Sequence, residues 1–288
     1  MSIHYQDPTV IYLCPLCNQP LHLQASKKTY TCQNHHSFDR AKEGYINLLP
    51  VQFKHSKEPG DNKEMITARR LFLEAEFYEP LAKALAMMIN LAHAPNNNTY
   101  RLLDMGCGEG YYSRQIERYF EGRQQLLLFG NDISKIAIAA AAKKQPSAHF
   151  VVASSTRLPY HHDYFDMVLR VFAPSDYHEI KRVLKPSGYL LTVTPGPRHL
   201  WQLKEFIYSE VKEHAEETTI PEGFEQLTSQ RISYRISPNA NERLALLQMT
   251  PFAWSAGELV RSKLNNLSEL EIEIDFILVL SVKTSVND

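Results

Sequence analysis

From Tyr100 onward the chain alternates between short runs that are apolar throughout and stretches whose apolar residues recur at helical spacing. RLLDMG, LLLFGND, HFVVAS, FDMVLRVF and GYLLTVTP are of the first kind. Runs apolar on both faces suit strands of a parallel sheet that is covered on each side. YYSRQIERYF, KIAIAAAAKK and SDYHEIKRVL predict the covering helices. The pattern then changes. SYRISP, a helix around NERLALLQM and the long final strand LEIEIDFILVLSVKT predict an antiparallel hairpin that closes the sheet edge. The predicted class is α/β, a Rossmann-like doubly wound sheet with an antiparallel final hairpin.

The front of the chain follows another rule. Residues 12–50 are turn-rich and cysteine-bearing, and VQFKHSKEPGDNKEM reads as a polar linker or mobile loop punctuated by Pro59 and Gly60. Asp61 and Glu64 resemble a helix-starting box, and MITARRLFLEAEFYEPLAKALAMMINLAH continues as helix to a break near Pro80. Two domains are expected, a small one with its linker over residues 1–55 and the α/β domain over 56–288.

With 288 residues and 44% apolar content the chain can bury a core. Its longest apolar runs, IAIAAAA and ILVLSV, fall well short of the roughly 20 residues that span a bilayer, so no membrane partner is expected. MSIHYQDPTVIYLC lacks the basic and apolar segments of a secretory signal, which makes a cytoplasmic protein the expectation. Net charge is −1, divided as +3 over residues 1–70 and −4 over the remainder. Taken alone, such an excess is an ordinary solvated face.

The first strand ends in LLDMGCGEGYY, which puts Gly106, Gly108 and Gly110 in a turn that opens a helix. Glycines there let backbone approach a ligand, with helix-start N–H groups aimed at it. The spacing G-x-G-x-G, preceded by Asp104, departs from the dinucleotide pattern G-x-G-x-x-G. It resembles the first motif of class I S-adenosylmethionine-dependent methyltransferases. Asp132 ends the next strand, 24 residues after Gly108, where an acid grips ribose hydroxyls; an aspartate there can also cap the following helix. EIKRVLKPSGYLLTV looks like the helix, turn and fifth strand of the same class. Cys107 reads as a small packed side chain rather than a nucleophile.

Cys14-x-x-Cys17 is a turn that brings two thiolates to one ion, and Cys32 and His36 supply two further ligands. His35 competes with His36, which is favoured because C-x-x-x-H leaves chain enough to fold back. Four protein ligands leave no open position, so the expected Zn2+ is structural.

CPLCNQPL, HSFDRAKEGYINLLPVQFK, PGDNKEMITARRLFL, FYEPL, LDMGCGEGYY, VASSTRLP, TPGPRHL and LLQMTPFAW together resemble the bacterial 23S rRNA guanine-N1 methyltransferases of the RlmA type, over nearly the whole chain. The resemblance implies methyl transfer from S-adenosylmethionine to N1 of a guanine in a 23S rRNA hairpin. It also implies a homodimer whose zinc domains help to bind RNA, and zinc ligands Cys14, Cys17, Cys32 and His36. Cofactor contacts fall on Tyr78, Gly108, Glu109 and His199, beside Gly106 and Asp132 from the turn itself. By residue pattern alone Tyr78 is a core aromatic and His199 a surface residue at a helix start. The chain departs from the family pattern at Glu76 and Phe77, where a glycine and a smaller polar residue are expected, at KPSG for KPGG, and at VFAPS for IYAPC.

Guanine N1 carries a proton at neutral pH, so a general base or a cation near O6 would assist its attack. Glu109, Arg170, Asp176 and His199 are candidates, and none is assigned. Tyr111, Tyr112 or Phe172 could receive a base splayed from its stack. Lys27, Lys28, Lys42, Lys54 and Lys57 would give the zinc module phosphate contacts that the acidic body lacks. Two other readings are a methyltransferase acting on a small molecule, whose expected apolar lid is missing here, and a non-catalytic RNA-binding protein.

Overall fold

A computed structural model of the chain describes residues 11–26, 28–54, 59–92, 99–121, 125–215 and 220–284; Lys27 and Lys57 therefore lie outside the described residues. Three short strands, β1 (His22–Leu23), β2 (Thr29–Thr31) and β3 (Ser37–Asp39), form a small antiparallel sheet at the front. After β4 (Ile46–Asn47) come α1 (Lys63–Glu74), α2 (Glu79–Ala92), β5 (Thr99–Met105), α3 (Tyr111–Tyr119), β6 (Gln125–Asp132), α4 (Lys135–Lys144) and β7 (His149–Val152). β8 (Phe165–Val171), α5 (Tyr177–Val183), β9 (Leu184–Pro195), α6 (Trp201–Glu205), β10 (Phe224–Ile236), α7 (Ala240–Gln248), α8 (Glu258–Asn266) and β11 (Ile272–Lys283) complete the order.

The large sheet runs β10-β11-β9-β8-β5-β6-β7-β4. Neighbours from β4 to β9 pair in parallel, while β11 pairs antiparallel with both β9 and β10. This is the doubly wound sheet with an antiparallel final hairpin. Strand order reverses between β5 and β8, so a crevice opens beyond their carboxyl ends. One face is covered mainly by α1, α2, α7 and α8 through Phe72, Leu81, Leu85, Leu246 and Leu264. Buried Arg243 braces that layer by donating to the carbonyls of Pro238, Leu264 and Leu267.

The front module packs on the opposite face. Its Tyr12, Leu21 and Tyr30 share a core with Leu103, Phe129, Phe165 and Ile180. Rings link them stepwise, Tyr30 to Tyr12 at 5.6 Å, Tyr12 to Tyr160 at 5.8 Å and Tyr160 to Phe165 at 4.8 Å between centroids. β4 leaves the small module and extends the large sheet by pairing with β7. Neither contact was visible in the local pattern, because both join residues more than a hundred positions apart.

Several local expectations are corrected. The cap of α1 is Asn62, whose side chain accepts from the Met65 N–H at 2.9 Å, while Asp61 pairs with Arg69 at 2.7 Å. The helix does break near Pro80, at residues 75–78, and Pro80 itself occupies the first turn of α2 where its missing N–H costs nothing. β10 begins nine residues before SYRISP, since its polar first half, EQLTSQR, is held by the apolar β11 beside it.

The break and the β9 turn share a cause. Glu76 has φ +62° and Ser187 φ +58°, both left-handed, and they stand at the two positions where the resemblance noted above leads to the expectation of glycine. A side chain there costs about 1–2 kcal/mol, and glycine returns about 0.4–1 of that as unfolded-state entropy. Glu76→Gly and Ser187→Gly should therefore each raise stability by about 0.5–1 kcal/mol. Thermal unfolding checks this, with Glu76→Ala expected to give no gain.

Candidate active site and metal centre

Cys14 begins a tight turn in which the Asn18 N–H donates to its carbonyl at 2.8 Å and Asn18 takes φ +58°. A second turn brings Cys32 and His36 together, closed by His35 N–H on the Cys32 carbonyl at 3.0 Å, with His35 at φ +61°. That left-handed step spends His35 on the turn and leaves His36 facing the thiols. The four donor atoms of Cys14, Cys17, Cys32 and His36 lie within 4.8 Å of one another. His36 Nδ1 is 3.4 Å from Cys14 Sγ and 3.5 Å from Cys32 Sγ, and Cys17 Sγ is 3.7 Å from Cys32 Sγ. Tetrahedral zinc, with bonds near 2.3 Å to sulfur and 2.0–2.1 Å to nitrogen, needs edges of about 3.5–3.8 Å. The donor set fits that ion and leaves no coordination position open.

The glycine turn stands at the carboxyl end of β5. Its Gly106 and Cys107 N–H groups donate to the Asn131 carbonyl at 2.9 and 3.0 Å, which pins it to β6. Gly106, Gly108 and Gly110 all have positive φ, at 71°, 55° and 77°. Their surroundings differ. A Cβ on Gly106 would meet the Ala173 Cβ at 2.5 Å and one on Gly110 the Ala141 Cβ at 3.1 Å, whereas one on Gly108 would meet only Arg69 Cδ at 4.0 Å. Gly106 and Gly110 thus permit close packing, and Gly108 bares backbone toward the crevice.

Asp132 accepts from the Gly108 N–H at 3.0 Å and from the Ser134 N–H at 2.8 Å, while the cap of α4 is Ser134, whose hydroxyl accepts from the Ala137 N–H at 3.3 Å. Burial raises the Asp132 pKa. Asp104 lies buried beneath it and accepts from the Ser113 hydroxyl at 2.6 Å. Burial, partly countered by that bond and reinforced by Asp132, lifts the Asp104 carboxyl to about 6. Cys107 is buried, and burial pushes its thiol well above the usual range, so it is a packed side chain. The Glu109 carboxylate meets Lys144 at 2.9 Å, Arg114 at 3.1 Å and Arg70 at 3.4 Å. Three cations stabilise its charge and occupy its oxygens, a poor arrangement for a general base.

His199 is buried rather than on the surface, and α6 starts two residues later. Its ring lies 4.9 Å from Phe276, 5.9 Å from Phe172 and 6.3 Å from Tyr78. Nδ1 accepts from the Asp275 N–H at 3.3 Å, which leaves the ring proton on Nε2. Burial, with repulsion from His214 and Lys204, lowers the His199 pKa to about 3, so the ring is a neutral donor at physiological pH. Tyr78 is a core aromatic, edge-on to Phe72 at 5.1 Å and to Phe276 at 5.0 Å. Asp176 caps α5, and Arg170 donates to the Ala173 carbonyl at 2.7 Å and the Tyr177 hydroxyl at 2.9 Å. Of the three aromatics considered for a splayed base, Phe172 is 43% exposed at φ +54°, Tyr111 is buried and Tyr112 is half-buried.

Sequence reasoning missed Asp275. Burial would raise its carboxyl, but paired bonds from Arg231 at 2.8 Å and the Arg198 N–H at 3.1 Å hold it below the usual range. A Cβ on Gly196 would lie 2.3 Å from its carboxyl carbon, so PGPRHL can wrap it only with glycine there. The charged position that opens the apolar run DFILVLSV was the available signal.

Two family models match, the RlmA N-terminal zinc ribbon over residues 12–57 and a methyltransferase domain over residues 102–188. A 23S rRNA (guanine(748)-N(1))-methyltransferase of Streptomyces fradiae is 33% identical, over 91% of this chain and 94% of its own length. A Bacillus subtilis (strain 168) protein, named provisionally as a 23S rRNA (guanine-N(1)-)-methyltransferase, is 30% identical over 95% of this chain and 97% of its own. The chain belongs to the 23S rRNA guanine-N1 methyltransferase family. It is accordingly an S-adenosylmethionine-dependent methyltransferase with a structural zinc ribbon, and no helix among the described residues is long and apolar enough to cross a membrane.

For this family member, metal analysis should find one zinc per chain. Cys32→Ser should abolish it and lower the Tm of the whole protein, because Tyr12 and Leu21 also cover the sheet. Asp104 sets a pH dependence. Its folded pKa lies above the unfolded value, so its burial penalty is absent below about pH 4, grows as pH rises through 6, and then stays constant. Two pKa units are worth about 3 kcal/mol. Denaturant titrations between pH 4 and 7 should show Asp104→Asn gaining on the parent protein by up to that amount as pH rises, with no difference at pH 4.

Proposed function

We infer that the protein transfers a methyl group from S-adenosylmethionine to N1 of a guanine in a hairpin of 23S rRNA. The observation that carries this reading is similarity along almost the entire length to relatives named for that reaction, the Streptomyces fradiae protein among them. The cofactor supplies an activated sulfonium methyl. Gly106, Gly108 and Glu109 would shape the turn against which it lies, Asp132 would take its ribose hydroxyls, and Tyr78 and His199 would close the far wall. With that methyl already activated, the chain's own residues would have chiefly to align guanine N1 with it, let the N1 proton pass to solvent and exclude other water.

Phe172 offers the open face on which a flipped base can stack. Exposed Lys28 and Lys42 supply phosphate contacts from the zinc ribbon. A homodimer in the cytoplasm, with both ribbons facing one RNA, completes the reading, with the four donors of the front module holding the ion. The alternatives, a small-molecule methyltransferase and a non-catalytic RNA-binding protein, gain no support from the site.

Reverse transcription on 23S rRNA tests it, since methylated N1 blocks Watson–Crick pairing. RRNA incubated with protein and S-adenosylmethionine should show one new stop in a hairpin loop, and its position identifies the guanine. The stop should vanish with Asp132→Ala. Methyl incorporation into small-molecule extracts with no rRNA stop would overturn the assignment.

A further inference from the structure

One buried charge near the crevice has no evident structural purpose. Lys204 on α6 is 4% exposed, and among the described residues its Nζ has no hydrogen-bond partner. Other buried charges in this region are matched: Asp275 by Arg231 and the Arg198 N–H, and Glu109 by three cations. The groups within electrostatic reach of the Lys204 cluster are His199 on the loop entering α6, His214 on the segment after it, and Asp275 on β11. His214 is tied back to this loop by its N–H on the Pro197 carbonyl at 3.0 Å. Asp275 has both oxygens committed elsewhere, so among the described residues no free anion stands beside the two imidazoles and the amine. Burial lowers the pKa of Lys204, and of His214 with it.

An unpaired buried cation is expensive to keep, and its removal is expected to stabilise a fold that does not need it. Such a group, within electrostatic reach of the buried His199 ring, is one whose charge a ligand could match. We propose that Lys204, with His214 behind it, forms a subsite for an anionic oxygen that enters the crevice beside His199. This rests on the function inferred above, which brings two such oxygens. One is the α-carboxylate of the cofactor. The other is guanine O6, which shares the electron pair left on N1 when its proton departs to solvent. N1 then forms a bond to the methyl carbon, the carbon–sulfur bond breaks, and its electron pair stays on sulfur as a neutral thioether. In this role Lys204 acts as a cation and not as the base. Its dry surroundings strengthen that pull.

The test compares Lys204→Met and Lys204→Arg with the parent protein in three measurements. The first is the Tm of the ligand-free protein, where Lys204→Met should match or exceed the parent. The second is calorimetry with S-adenosylmethionine and with its decarboxylated analogue. Loss of tenfold or more in affinity for the first alone identifies the carboxylate as the bound oxygen. The third is methylation of 23S rRNA. A tenfold or greater fall in kcat with cofactor affinity retained, largely restored by Lys204→Arg, identifies O6. Cofactor affinity and kcat both within twofold of the parent in Lys204→Met would overturn the proposal. So would a fall in Tm with loss of activity, which would make Lys204 a structural residue. If the parent methylates no RNA, the functional reading fails, and the calorimetric comparison still decides whether Lys204 meets an anion.

Discussion

A strand can hand its chain to a helix within contact distance of a ligand only if the backbone turns through left-handed φ and bares its N–H groups. The bend at residues 106–110 does this with three glycines, and the surrounding structure is arranged around it. Asn131 holds its base, Ala173 and Ala141 press so closely that no side chain fits at either end, and Asp132 grips the middle N–H. The reversal of strand order between β5 and β8 then leaves the crevice beyond it uncovered by sheet.

The zinc ribbon solves a separate problem. Its three strands have two or three residues each, too few to bury a core of their own. Four ligands around one ion replace part of that core, and the aromatic series from Tyr30 to Phe165 borrows the rest from the main sheet. The ribbon is thereby fixed relative to the catalytic domain, so the lysines it exposes have a defined place with respect to the crevice. RNA held by both parts would be presented rather than merely bound.

Charge inside this molecule is mostly paid for locally. Glu109 draws α1, α3 and α4 together through Arg70, Arg114 and Lys144, and Asp275 fixes the loop that carries His199. Each makes a flexible connection rigid, because releasing either partner would strand a buried ion. The neutral state of His199 follows from the same surroundings, and it turns a titratable side chain into a steady hydrogen-bond donor.

Much of this was legible along the chain. Apolar runs of β5, β6, β8 and β9 announced a parallel sheet, and the glycine spacing, the acid at 132 and the cysteine cluster needed only short-range pattern. The departures at Glu76 and Ser187 were visible as unusual residues, but their left-handed φ was not. The sequence by itself determined which segments of the main domain form strands and helices, which turn bares its backbone and which atoms can hold zinc, since those depend on side-chain type and spacing. Only the tertiary structure decided that Asp61 serves Arg69 instead of a helix cap, that Glu109 is neutralised by three cations, and that His199, Asp275 and Lys204 meet inside the protein. Burial and electrostatic partners come from elements distant in the chain, and no local pattern of residues encodes them.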